Sequence, residues 1–230
     1  CPESRGLGDV YKRQLIVDTH LAYIESGAEV ITTNTFSSRR IRMDQNKVSR
    51  YFEYANKKAC ELAIQAKQNS KKEVFIAGSI PAQFDTYKED TRDDEIISSA
   101  FFDQINCISD YVDFLYLDVI SSGREIDLAT KIIEKLDKPI LLGIHLTKNG
   151  CLPSGETISQ VLKKYKSTNW IGIIAACVSL EIAENSIDEL QLQNLPFGYK
   201  VNLWGQDEPL PQRKINTAKY NEDAVNLNTV

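Results

Sequence analysis

The sequence lacks the features that mark membrane, nucleic-acid-binding and disulfide-rich proteins. No apolar run approaches the roughly 20 residues of a membrane-spanning helix. The net charge is −5 and the pI about 5.2, and no basic cluster with interleaved aromatic residues occurs, which argues against a nucleic-acid partner. The five cysteines show no paired spacing, which is typical of a protein in a reducing cytoplasm. These absences leave an ordinary globular protein with small-molecule partners.

The phosphate-binding motifs G-x-G-x-x-G and G-x-x-x-x-G-K-[ST] are also absent, but β- and α-type patterns alternate throughout. Predicted strands begin near residues 29, 74, 113, 139, 170 and 198, and a helical pattern follows each of them except the last. This alternation predicts a parallel sheet with right-handed crossovers. It fits either a doubly wound sheet or a TIM barrel, although the missing nucleotide motifs remove the usual support for the open sheet.

The segment HLAYIESGAEVITTNTFSS (residues 20–38) predicts a helix that stops at Gly27 and a strand over residues 29–36. The β-branched residues of this strand predict burial on both of its faces. The strand ends in Asn34 and Thr35, and two serines follow. Packing does not require so many hydrogen-bonding side chains there. Because ligands bind at the carboxyl ends of strands in α/β folds, we expect this strand end to contact a substrate.

Polar or reactive residues recur at the carboxyl ends of all six predicted strands. In a barrel these positions converge on one mouth, where catalytic residues lie. The strand ends therefore predict a pocket, and within it His145 and Asp118 are candidates for an acid and a base. In chain order the residues are Asn34, Ser79, Asp118, His145, Cys177 and Asn202.

Several of these segments resemble the homocysteine S-methyltransferase family. The pattern H-x-x-Y-I-x-x-G-A-x-x-I-T-T-N-T-F of residues 20–36 is similar to the region around the second strand of that family. The resemblance implies a (β/α)8 TIM barrel, of which residues 15–205 would supply strands two to seven. It also implies transfer of a methyl group from a small donor to the thiol of homocysteine, forming methionine, at a zinc ion. The expected fold is thus an incomplete barrel of about six parallel strands with outer helices.

The segment WIGIIAACVSLEIAE, residues 170–184, resembles the part of the family in which a G-I-N-C run ends the sixth strand. The cysteine of that run is the first zinc ligand, which makes Cys177 the implied ligand here. The other two ligands belong to a G-G-C-C-G-T motif that this sequence does not contain. A zinc site requires three or four ligands. The zinc site is therefore expected to be incomplete in this chain.

Other segments depart from the family pattern. The run FLYLDVI aligns with a strand that usually ends in Glu-Thr, whose glutamate is expected to hold the amino group of homocysteine, so Asp118 takes that role on a shorter side chain. Ala176 stands where asparagine is usual, and Ala77-Gly-Ser-Ile-Pro81 lacks a second glycine. The polar strand ends predict a substrate-binding set of Asn34, Thr35, Ser79, Asp118 and Asn202, and the resemblance implies that role for Asp118. Two alternatives stay open: a barrel acting on another small thiol or by acid–base chemistry, and a barrel that binds a small molecule without catalysis.

The two ends of the chain do not fit the barrel pattern. Residues 1–14 have no periodicity, and their Asp9–Gln14 run is what a transposase end sequence used in sequencing libraries encodes, so they are interpreted as an artefact without structure. Residues 206–230 predict an irregular polar tail. A barrel without its first and last strands would expose unpaired strand edges. We therefore expect the chain alone to be inactive and to aggregate or form a homo-oligomer.

Overall fold

The computed structural model describes residues 2–202, and the side chains of residues 12–202. Over this range six strands alternate with α-helices, and several short 3₁₀ turns join them. The elements are α1 (Pro2–Glu25), β1 (Val30–Thr32), α2 (Arg40–Gln45), α3 (Phe52–Ser70), β2 (Phe75–Pro81), α4 (Asp94–Ile108), β3 (Phe114–Ile120), α5 (Gly123–Ile133), β4 (Ile140–Ile144), α6 (Ile158–Lys164), β5 (Trp170–Val178), α7 (Leu180–Asn185), α8 (Ile187–Gln191) and β6 (Phe197–Val201).

The six strands form one parallel sheet in the order β1-β2-β3-β4-β5-β6. This order has no reversal, so the doubly wound alternative is excluded, and the sheet curls into an incomplete TIM barrel with helices outside it. Within residues 2–202, β1 pairs only with β2 and β6 only with β5. The alternation read from the sequence is confirmed, because each strand begins within one residue of its predicted start.

The first strand differs from its prediction. It spans only three residues, and it is buried on one face rather than on two: Ile31 is buried, whereas Val30 and Thr32 are exposed. The reason is its position at the edge of the described sheet, where Val30 and Thr32 line an open cavity instead of a packed interior. The β-branched residues correctly indicated a strand, but they could not indicate whether its inner face is covered.

The expectation that residues 1–14 lack structure is wrong for residues 2–14, which belong to α1. Helix elongation costs little once a nucleus exists, and the packed part of α1, with Val17 and Ile24 fully buried, provides that nucleus. The Arg13 guanidinium also donates a hydrogen bond of 2.7 Å to the Tyr54 hydroxyl on α3. The interpretation of the segment as a sequencing artefact stays a prediction. The predicted tail, residues 206–230, lies outside the described residues.

The core lies between the outer face of the sheet and the helices. Because side chains alternate along a strand, every second residue of β2, β3 and β4 packs against α3, α4 and α5. The remaining residues face the inside of the curl, where a smaller cluster of Ala77, Phe114 and Tyr116 packs with Leu141 and Ile174. Because the helices cover the outer face, the inner face is the part of the sheet that is free to carry a polar site.

Within residues 2–202 no helix combines the length and apolar character needed to cross a bilayer.

Candidate functional site

The centre of the inner face is an ion pair between Asp118 at the end of β3 and Lys200 on β6. The Lys200 ammonium lies 2.8 Å from Oδ1 and 3.1 Å from Oδ2 of Asp118, and the Ser79 hydroxyl donates a third bond of 3.0 Å to Oδ2. The Asp118 side chain is only 3% exposed, whereas that of Lys200 is 50% exposed. A buried carboxylate is tolerated because both oxygens are hydrogen-bonded and a cation lies beside them.

The tyrosine beneath this ion pair helps to define its surroundings. Tyr116 precedes Asp118 by two residues on β3, so both side chains face the inside of the curl. The Lys200 ammonium lies 5.4 Å from the centroid of the Tyr116 ring, a distance at which the ring face attracts a cation. Burial, followed by the negative charge of Asp118, raises the pKa of Tyr116, so this phenol stays protonated at neutral pH. The local charges are therefore those of Asp118 and Lys200.

The polar end of the first strand is divided between the cavity and the protein interior. Asn34 is exposed and lines the cavity, whereas Thr35 is fully buried. The Thr35 hydroxyl donates a bond of 2.6 Å to the Ser79 carbonyl oxygen, and the Ser79 amide donates one of 3.0 Å to Thr33 Oγ1. Because the single proton of Thr35 is used on Ser79, Thr33 donates to Thr35 over 2.9 Å. Thr35 thus fixes Ser79, which in turn contacts Asp118.

A second group of predicted residues surrounds Cys177. Its Sγ lies 3.1 Å from the hydroxyl of Tyr87, and the Tyr87 ring makes an edge contact with the His145 ring at 4.7 Å between centroids. Asn202 Nδ2 donates to the Cys177 carbonyl oxygen over 3.1 Å, and His145 Nδ1 lies 3.2 Å from the Ala176 carbonyl oxygen. Burial and the contact with Cys177 raise the pKa of Tyr87. Asp118 and His145, proposed as an acid–base pair, thus interact with different partners.

Three residues around the inner face have a left-handed backbone although none of them is glycine. The φ angles are +71° at Tyr87, +62° at Val119 and +58° at Cys177. Val119 and Cys177 coincide with register shifts in the β3–β4 and β5–β6 pairs. Such bulges redirect side chains, and the strained conformation costs about 1–3 kcal/mol at each residue. Strain of this kind concentrates at functional sites, which supports the assignment of this face as the site.

The first of the two groups lines a cavity of about 700 Å³. The polar part of its lining includes Asn34, Ser79, Asp118 and Lys200, and most of the other lining residues belong to α1 and β1. Its size falls within the range of small-molecule sites. Cys177, His145 and Asn202 are not among the described residues that line the cavity. The remaining lining residues are Leu15, Ile16, Thr19, His20, Tyr23, Val30, Ile31, Thr32, Thr33 and Phe36.

The described residues do not form a zinc site. No group of three His, Cys, Asp or Glu side chains within residues 12–202 is placed to hold a metal ion. Of the described cysteines only Cys177 lies on the inner face, while Cys60 and Cys107 belong to α3 and α4 and Cys151 to a turn. Residues 203–230 contain neither cysteine nor histidine. A stable site needs three or four ligands, so Cys177 alone, among the described cysteines, does not make one.

Sequence reasoning missed two residues of the site. Lys200 lies within the otherwise uncharged run FGYKV. Its charge was the available signal, because a charged residue inside a predicted inner strand requires a partner. Tyr87 lies in the polar loop between β2 and α4 and carries no sequence signal. Its position depends on Arg39, which is 3% exposed and donates bonds of 3.0 Å to the Ala82 carbonyl oxygen and the Thr86 hydroxyl of that loop.

The fold and the inner-face geometry together define an incomplete α/β barrel with a candidate small-molecule site at the carboxyl ends of its strands. A family model described as homocysteine S-methyltransferase matches residues 3–227 of the chain. The chain therefore belongs to the homocysteine S-methyltransferase family. The match extends beyond residues 15–205, over which the sequence resemblance was expected, and includes most of residues 1–14 and 206–230.

Solved structures of a homocysteine methyltransferase have the same fold. The metallated form of MmuM from Escherichia coli superposes with a TM-score of 0.67 at 16% identity, covering 82% of this chain and 80% of that one. The oxidized form gives 0.67 at 15% identity, with 84% and 81% covered, and the apo form gives 0.60 at 16%, with 82% and 80% covered. No curated protein sequence matches the chain significantly. At this identity the likeness establishes the barrel fold.

Proposed function

We propose that the chain binds homocysteine in the 700 Å³ cavity and acts in the methylation of the homocysteine thiol, which forms methionine. The observation that carries the proposal is Asp118, a buried carboxylate at the polar wall of the cavity in a chain of the homocysteine S-methyltransferase family. Its charge is suited to the substrate ammonium. Asn34 and Ser79 complete the substrate-binding set in the cavity, and Thr35 acts on it through Ser79. Asn202 lies outside the cavity lining and belongs to the group around Cys177, whose carbonyl oxygen it contacts.

The reaction replaces one bond to a methyl carbon by another. The bond between the donor and its methyl group breaks, a carbon–sulfur bond to homocysteine forms, and the thiol proton is released. Because a free thiol has a pKa near 8.5, most of it is protonated at neutral pH, and the thiolate is the effective nucleophile. In the family as the resemblance describes it, a zinc ion lowers the pKa of the bound thiol.

For this chain we propose Cys177 as one zinc ligand. Its contact with Tyr87 and its place on the inner face support a role in the site. No step of the reaction is assigned to zinc here, since residues 12–202 contain no group of three side chains placed to hold a metal ion. The four described cysteines are free thiols, which suits a reducing cytoplasm as the location.

Methyl transfer is tested in a chimaera in which this chain is followed by a family segment that carries the G-G-C-C-G-T motif. Methionine formation from homocysteine is measured with S-methylmethionine, S-adenosylmethionine, betaine and a methylated folate as donors, together with zinc content. We expect Cys177→Ser to abolish both zinc retention and methyl transfer. Cys151→Ser, in a turn outside the inner face, is the matched control and should leave both unchanged. Retention of zinc and rate by the Cys177→Ser protein would refute the role of Cys177.

A further inference from the structure

Lys200 occupies a position that the resemblance does not explain. The resemblance implies an acidic residue for the substrate ammonium, but here that residue, Asp118, is already paired with a lysine. The two charges cancel, so the pair attracts a lone cation only weakly. An ammonium has three N–H donors, and the half-exposed Lys200 side chain lines the cavity while it holds Asp118. Lys200 is therefore able to hold Asp118 and to bind an anion in the cavity at the same time.

An ion pair of this kind matches the two charges of an α-amino acid. A zwitterion carries an ammonium and a carboxylate on one carbon, and an antiparallel arrangement sets each charge against its opposite. Asp118 accepts through two oxygens with about four lone-pair positions, and three of these are used by Lys200 and Ser79. One position on Oδ1 thus remains for the substrate ammonium, beside the lysine that faces its carboxylate.

We propose that Lys200 binds the substrate carboxylate while Asp118 binds the ammonium, so that this ion pair selects a thiol that is also an α-amino acid. The inference rests on the proposed binding of homocysteine in the same cavity, and it adds the residue that recognises the carboxylate.

A second observation indicates that the cavity receives a polar ligand. His20 lines the cavity and is 9% exposed, and its buried Nε2 atom has no hydrogen-bond partner among the described residues. Burial lowers the pKa of His20, which keeps its ring neutral at pH 7. An unpaired buried polar atom costs about 1–3 kcal/mol, and a polar occupant of the cavity would relieve this cost. A purely apolar ligand would not.

The test compares three thiols by calorimetric titration of the chain in a non-thiol reductant. L-homocysteine carries both charges, 4-mercaptobutyrate lacks the ammonium, and 3-aminopropane-1-thiol lacks the carboxylate. We expect the unsubstituted chain to bind homocysteine at least about tenfold more tightly than either analogue, since a hydrogen bond to a charged group contributes about 1.5–3 kcal/mol. In Lys200→Met the ratio between homocysteine and 3-aminopropane-1-thiol should fall towards one.

Two further variants separate recognition from folding. Lys200→Arg keeps the positive charge and should retain the preference for a carboxylate, whereas Asp118→Asn/Lys200→Met removes both charges without leaving one buried alone and should lose it. Lys131→Met is the matched control, because Lys131 pairs with Asp127 on the exposed face of α5. It should behave as the unsubstituted chain.

The outcomes distinguish this inference from the proposed function. If the unsubstituted chain binds none of the three thiols, the proposed function fails and the inference with it. The inference alone is overturned if homocysteine binds but its affinity relative to 3-aminopropane-1-thiol is the same in Lys200→Met as in the unsubstituted chain. Equal binding of 4-mercaptobutyrate and homocysteine would also overturn it, because the ammonium would then make no contribution.

Discussion

The substitution Thr35→Val tests whether Thr35 acts inside the protein or on the substrate. Valine has nearly the same shape as threonine, so no cavity forms, but the hydroxyl is lost. Thr35 Oγ1 donates to the Ser79 carbonyl oxygen over 2.6 Å and accepts from Thr33 over 2.9 Å, and the residue is fully buried. The Ser79 carbonyl oxygen would lose this donor and the Thr33 hydroxyl its acceptor, although Thr33 Oγ1 would keep the bond that it accepts from the Ser79 amide. Each buried unsatisfied group costs about 1–3 kcal/mol, and because the loss at Thr33 is partial, the variant should lose roughly 2–4 kcal/mol of unfolding free energy.

The measurement is urea denaturation followed by circular dichroism, with Thr168→Val as the control. Thr168 is exposed, and its hydroxyl lies 3.4 Å from Asn169 Oδ1, so the same change there should alter stability by no more than about 0.5 kcal/mol. Thr35→Val should also weaken homocysteine binding, because Ser79 and then Asp118 lose their support. Equal stabilities of the two variants would refute the buried role of Thr35.

Three further predictions concern association, pH and metal binding. In analytical ultracentrifugation at micromolar concentration the chain should be oligomeric or aggregated through the edges of β1 and β6, and a cooperatively unfolding monomer would contradict this. Burial raises the pKa of Glu125 to about 7, so the folded state binds its proton more tightly than the unfolded state does. Stability should fall by up to about 3 kcal/mol as pH rises from 4.5 to 7, and Glu125→Gln should flatten that fall; an unchanged slope would exclude Glu125 as its source. Dialysed against zinc, the chain should retain far less than one equivalent, and stoichiometric zinc would show that Cys177 has further ligands.

The sheet could be predicted closely because its information is local. Strand starts follow from short apolar runs bounded by turn residues, and the order of the strands follows from unbroken alternation together with the family resemblance. The six polar strand ends predict a site at one edge of the sheet, and that site stays a prediction. The division of these residues into a group around Asp118 and a group around Cys177 could not be predicted, because it depends on bulges at Val119 and Cys177 that have no sequence signature.

The unpredicted contacts of the site join residues far apart in the chain. Lys200 and Asp118 are separated by 82 positions, and Tyr87 and Cys177 by 90. No periodicity connects such positions, and only the curl of the sheet brings them together. The buried role of Thr35 was hidden for a similar reason, since its partner Ser79 belongs to the neighbouring strand.

A crystal structure of the chain with L-homocysteine tests the central claim most directly. The account predicts the ligand in the cavity lined by Ser79 and Asp118, with its ammonium within hydrogen-bond distance, about 2.7–3.2 Å, of the Asp118 carboxylate. The carboxylate of the ligand should face Lys200. Homocysteine bound elsewhere on the protein, or bound in this cavity with its ammonium away from Asp118, would contradict the account.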